Sequence, residues 1–137
     1  YQILDKAKCP DIKTYNQLTD SPLSRIVCIF DEYADFMSEK ESRTQLEKSI
    51  KSLGAKARAA GIHLIISTQR PDATVVTPLI RSNLPGRIAL RTNSEADSQI
   101  ILGDKLAAKL LGKGDLFYKT AGKIERLQSL FAEKFSV

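Results

Sequence analysis

Arg25-Ile26-Val27-Cys28-Ile29-Phe30-Asp31-Glu32 is the stretch that decides the fold. Its apolar run has the length of a strand, is rich in β-branched residues and ends in two acids. Such a run predicts a strand buried on both faces of a parallel sheet. A second run, Leu64-Ile65-Ile66-Ser67-Thr68-Gln69-Arg70, is built alike and ends in an amide. One helix-length segment separates the two, so strand, helix and strand form a βαβ crossover with both strands parallel in one sheet. Open α/β sheets place their ligands at the carboxyl ends of their strands. An aspartate there can hold the water shell of a magnesium ion, and an adjacent glutamate can polarise an attacking water. A glutamine on the neighbouring tip can sense a terminal phosphate. Each group also has a plainer role: the acids as a solvated strand end, Gln69 as a helix cap or surface amide.

Outward from these strands, Ser38-x-x-Glu41 has the form of a capping box. It opens a helix whose apolar residues fall at Leu46, Ile50, Leu53, Ala57 and Ala60, and Gly61 closes it. Residues 1–20 read as a short helix, a turn at Cys9-Pro10 and a polar connection through Ile12, Tyr15 and Leu18. After the second strand come a loop over 72–77, a short helix over 78–83 and a strand over 86–92. Ser94 caps a helix ending at Gly103, and 104–111 forms another ending at Gly112. Alternation over 115–119 and 123–130 around Ala121-Gly122 predicts a hairpin. No repeat or low-complexity linker interrupts the chain. It reads as a single α/β domain over 1–137: a connecting segment (1–22), a core (23–119) and a C-terminal edge hairpin and tail (120–137).

The composition, 42% hydrophobic and 27% charged, is that of a soluble globular protein. No apolar run approaches the ~20 residues that span a bilayer, so no membrane contact is expected from this segment. Cys9 and Cys28 lack metal-ligand spacing and read as reduced thiols of a cytoplasmic protein. A net charge of +5 points to a polyanion only if the cations cluster. The chain opens on Tyr1 and its only methionine is Met37, so it is expected to be a piece of a longer protein. No G-x-x-x-x-G-K-[ST] occurs in it. Gly112-Lys113 and Gly122-Lys123 are followed by Gly114 and Ile124, so neither pair serves as a phosphate cradle. The segment reads as the second half of an ATP motor. His63 is expected to be structural. Lys48, Lys51, Lys56 and Arg58 read as a solvated helix face, with Arg58 the exception because it stands beside the helix end.

In order along the chain, several strings resemble the FtsK/SpoIIIE family of DNA translocases over residues ~10 to 119. They include Asp11-Ile12 with Tyr15-Asn16, Ile26 to Asp35, Lys56-Ala57-Arg58-Ala59-Ala60-Gly61-Ile62-His63-Leu64 and Ser67-Thr68-Gln69-Arg70-Pro71. Leu79-Ile80 with Asn83, Leu84 to Ala89, Asp97-Ser98 with Ile101-Leu102, and Lys109 to Asp115 continue the match.

The resemblance implies a RecA-like P-loop NTPase core that assembles as a hexameric ring and pumps double-stranded DNA with ATP and Mg2+. It makes Asp31 the metal acid, Glu32 the catalytic acid and Gln69 the sensor. Arg58 matches a finger offered to the neighbouring subunit's nucleotide, with Arg87 in reserve. Arg70 and Arg81 fall where relatives line the DNA channel. Glu95 and Gln99 depart from the family, standing where chromosome-segregating members carry a lysine and an arginine. The rival expectation is a non-hydrolysing scaffold or assembly module, or a protein-secretion ATPase of the same superfamily.

Overall fold

The computed structural model describes residues 1–130. They fall into two compact units, Tyr1–Arg70 and a second beginning at Pro71.

The first unit runs α1 (Gln2–Lys6), α2 (Ile12–Leu18), β1 (Ile26–Phe30), α3 (Tyr33–Met37), α4 (Lys40–Ala60) and β2 (Ile62–Ile66). β1 and β2 pair in parallel, from Ile26 opposite Ile62 to Phe30 opposite Ile66. The crossover is α4. It ends at Gly61, which sits at φ 71° and donates its amide to the carbonyls of Ala57 and Arg58. A left-handed residue favours glycine, and here space does too: a Cβ would lie 2.9 Å from Cδ1 and from Cγ2 of Ile12.

Three expectations change. The supposed polar connection is helical, because Asp11 caps it through the Thr14 amide and Ile12 is buried. The Ser38-x-x-Glu41 capping box does not form. Ser38 instead closes α3, its hydroxyl donating to the Asp35 carbonyl, and α4 starts at Lys40, with Glu39 at its N-cap making no side-chain cap. Burial on both faces of β1 is also not found, since Ile26, Val27 and Ile29 are 57%, 56% and 65% exposed. Among the described residues this sheet has two strands, β1 and β2.

The second unit runs α5 (Pro78–Asn83), β3 (Arg87–Ala89), α6 (Glu95–Leu102), a 3-10 turn (Leu106–Lys109), β4 (Asp115–Thr120) and β5 (Lys123–Gln128). The three strands form an antiparallel sheet in the order β3-β4-β5. Ala89, Leu102, Ala107 and Leu110 make its core, with Ile101, Phe117 and Ile124 packed around them. The helix expected over 104–111 shortens to the 3-10 turn because Ser98 ties it to α6. The buried Ser98 hydroxyl donates to the Asp104 carbonyl and accepts from the Ala107 amide. The hairpin turn forms as expected, with Ala121 and Gly122 both at positive φ, as a tight two-residue turn demands. The part of the expected tail over 131–137 lies outside the described residues.

Candidate active site

Beyond β1 and β2 the two chains stay together for one more step. Ser67 donates its amide to the Phe30 carbonyl (2.9 Å), and Tyr33 donates its own to the Ser67 carbonyl (2.8 Å). The Ser67 hydroxyl donates to the Asp31 carbonyl. The Phe30 ring meets Tyr33 and Phe36 edge-on, at centroid distances of 5.9 and 5.3 Å. β1 therefore turns at once into α3, and Glu32 becomes the residue that caps it. Tyr33 is fully buried, and its hydroxyl finds no partner among the described residues. Burial first, and the charge of Glu47 next, push its pKa up to about 12.

The Glu32 carboxylate is held from α3 on one side and from the segment after β2 on the other. Its Oε1 accepts from the Ala34 amide (3.1 Å) and the Thr68 hydroxyl (2.5 Å), and its Oε2 from the Gln69 amide (2.9 Å). Thr68 in turn accepts from the Arg70 amide at 3.1 Å. The Thr68 hydrogen bond, followed by that from Gln69, holds the Glu32 pKa below its ordinary value, with the Arg70 charge a smaller contributor. Asp31 is exposed beside it, and its carboxylate has no hydrogen bond or ion pair among the described residues. No group of three or more His, Cys, Asp or Glu side chains converges among those residues. One free carboxylate suits magnesium, a cation that keeps several waters and leans on substrate phosphates.

The other expected residues are distributed as follows. Gln69 is exposed, its backbone amide on Glu32. Arg70 is exposed one residue further on. Arg58 is exposed in the last turn of α4, and its guanidinium has no partner among the described residues. Arg81 is half-buried on α5, in the second unit. Arg87 is spent on backbone: it donates to the carbonyls of Leu84 (3.4 Å), Ile101 (3.0 Å) and Arg81 (2.7 Å). Burial, then the Arg81 charge, lower its pKa. Glu95 pairs with Lys105 at 2.8 Å, while Gln99 is exposed. Sequence reasoning assigned no role to Ser67 and Thr68. The signal was the run of polar residues closing an apolar strand opposite the acids.

The FtsK/SpoIIIE family profile matches residues 11–73. A DNA translocase FtsK of Treponema pallidum (strain Nichols) is 47% identical over 124 residues, covering 86% of this chain and 15% of that protein. The conjugation coupling protein TcpA of pCW3, solved in its monomer form with ATPγS, superposes with a TM-score of 0.84 at 32% identity. That match covers 95% of this chain and 39% of TcpA. The cytoplasmic domain of the type VII secretion ATPase EccC of Thermomonospora curvata gives 0.81 at 22% identity, over 95% of this chain and 16% of EccC, a likeness of fold. The chain thus spans about a seventh of the curated relatives it matches. Its architecture is the expected one, a P-loop ATPase α/β core with a parallel sheet and a C-terminal antiparallel hairpin. With the tips of β1 and β2 carrying the strings that define the match, the chain belongs to the FtsK/SpoIIIE family.

Proposed function

We propose that this segment is the carboxyl-terminal part of the motor domain of an ATP-driven double-stranded DNA translocase, and that it supplies the hydrolytic acids. The observation that carries the reading is Glu32, clasped between the tips of β1 and β2 with Asp31 free beside it. Glu32 accepts a proton from the attacking water. Asp31 holds the water shell of Mg2+, which when bound with ATP neutralises charge on the phosphate oxygens. The Gln69 side chain reads the terminal phosphate. Arg58, unpartnered among the described residues, projects as a finger to the nucleotide of the next subunit in a hexameric ring. Arg87 has its donors on three carbonyls, which favours Arg58 for that task. Arg70 and Arg81 contact DNA phosphates, contacts that carry no sequence preference. A motor of this kind works in the cytoplasm.

The test is Glu32→Gln in the full-length motor. The amide keeps the shape but accepts no proton, so turnover falls on the order of 10²–10⁴-fold. ATP affinity, measured separately, stays near wild type. Turnover close to wild type would remove Glu32 from the mechanism.

A further inference from the structure

We propose that Thr68 is the positioning residue for Glu32, fixing the carboxylate so that a single acceptor site on Oε2 is left for the attacking water. The inference rests on the reading of Glu32 as the general base. A carboxylate offers about four acceptor sites, two on each oxygen. On Oε1 both are taken, by the Ala34 amide and the Thr68 hydroxyl. On Oε2 the Gln69 amide takes one. Backbone amides supply two of these three bonds, so they are set by the course of the chain. Thr68 alone contributes through a side chain.

The direction of the Thr68 hydroxyl is determined by its neighbour. Its oxygen accepts from the Arg70 amide at 3.1 Å, so its proton is the one shared with Glu32. A three-member chain results, from the Arg70 amide through the Thr68 hydroxyl to Oε1. It crosses from β2 to β1 beyond the last strand pair. Without it, the Ala34 and Gln69 amides still hold one oxygen each, but a second acceptor site opens on Oε1 and the attacking water no longer has a single place to bind. Thr68 stands between a cation proposed to touch DNA and the base proposed to act on water.

The experiment compares Thr68→Val and Thr68→Ser with wild type in the full-length motor, reading kcat and KM for ATP with duplex DNA present. Valine keeps the shape and removes the donor. We expect kcat to fall about tenfold to a hundredfold, as for a misplaced catalytic group, with KM within about twofold. Serine should restore most of the rate. Adding Thr68→Val to Glu32→Gln should cost little further, since the threonine then has no base to position. Unchanged or raised kcat in Thr68→Val overturns the proposal, as does a further full loss in the double variant or an equal loss in Thr68→Ser. Turnover surviving in Glu32→Gln alone would instead sink the reading of Glu32 as base, so the two failures are distinct.

Discussion

Asp115 and Glu32 are both carboxylates held below their ordinary pKa, but their surroundings suit them to different tasks. Asp115 is buried, and Arg126 grips it with two donors at 2.9 and 2.7 Å while the Leu111 amide adds a third at 2.8 Å. The Arg126 hydrogen bonds, then that from Leu111, lower its pKa to about 2 from 3.8. Like Glu32 it accepts three hydrogen bonds, but its side chain is buried, so the group is a clasp joining β4, β5 and the turn before them. A carboxylate depressed in the fold stabilises it fully above its unfolded pKa, and that stability is lost as pH falls through the folded value. Thermal midpoints of the chain should therefore drop between about pH 4 and pH 2. Asp115→Asn should lie lower at neutral pH and show a shallower fall across that window. An identical slope in the variant would take the clasp out of the account.

Glu32, at an exposed tip, keeps one acceptor site open. Its proposed partner across the subunit boundary gives a second residue-scale prediction. Arg58→Ala should leave nucleotide affinity nearly intact and stop turnover in the ring. Mixed with Glu32→Gln subunits, it should recover part of the activity at interfaces that pair an intact Glu32 with an intact Arg58. Mixed rings as inactive as either variant would reassign the finger.

At the level of elements, α4 is the piece the rest depends on, because it sets β1 and β2 parallel and brings their tips together. Its closing residue is the sensitive point. Gly61→Ala would force a Cβ into the left-handed region, at a cost of about 1–2 kcal/mol, and place it 2.9 Å from two Ile12 side-chain atoms. The urea midpoint of the variant should fall accordingly. A midpoint within error of wild type would mean that α2 moves aside freely.

The same elements show what was legible in the sequence. The apolar runs of β1 and β2, the 3.6-residue period of α4 and its terminal glycine carry local signals strong enough to read directly. α3 does not. Five residues, with Tyr33, Ala34 and Met37 buried, are too few for a period, and its cap is a residue already read as catalytic. The Ser38-x-x-Glu41 pattern misled because Ser38 was needed by the helix before it. That Asp31, Glu32 and Gln69 stand just past the strand ends was legible, their proposed roles aside. Thr68 was not, since its role depends on a bond to a residue 36 positions away.

At the scale of the whole molecule, exposure is the informative property. Ile26, Val27 and Ile29 on β1 and Ile65 on β2 are more than half exposed, which is costly for a two-stranded parallel sheet standing by itself. The 137-residue chain, which contains no phosphate-cradling G-x-x-x-x-G-K-[ST], should hydrolyse no ATP when purified alone. Measured turnover by that material would contradict the division of labour proposed above. Glu95 is paired with Lys105 at 2.8 Å on the exposed surface, so a neighbouring cation offsets part of its charge. Arg70→Ala with Arg81→Ala should weaken duplex binding by the full-length motor about equally for every sequence. It should also flatten the salt dependence, by about 0.9 in log–log slope for each phosphate that is no longer neutralised.

The central claim, that Glu32 drives movement along duplex DNA, meets its most direct test in a translocation assay. The full-length motor is placed on a duplex bearing a third strand, and release of that strand is followed with and without ATP. The wild-type motor should release it only with ATP and Mg2+, and Glu32→Gln should bind the duplex and ATP but release nothing. Release by Glu32→Gln at the wild-type rate, or no ATP-dependent release by the wild type, would contradict the account.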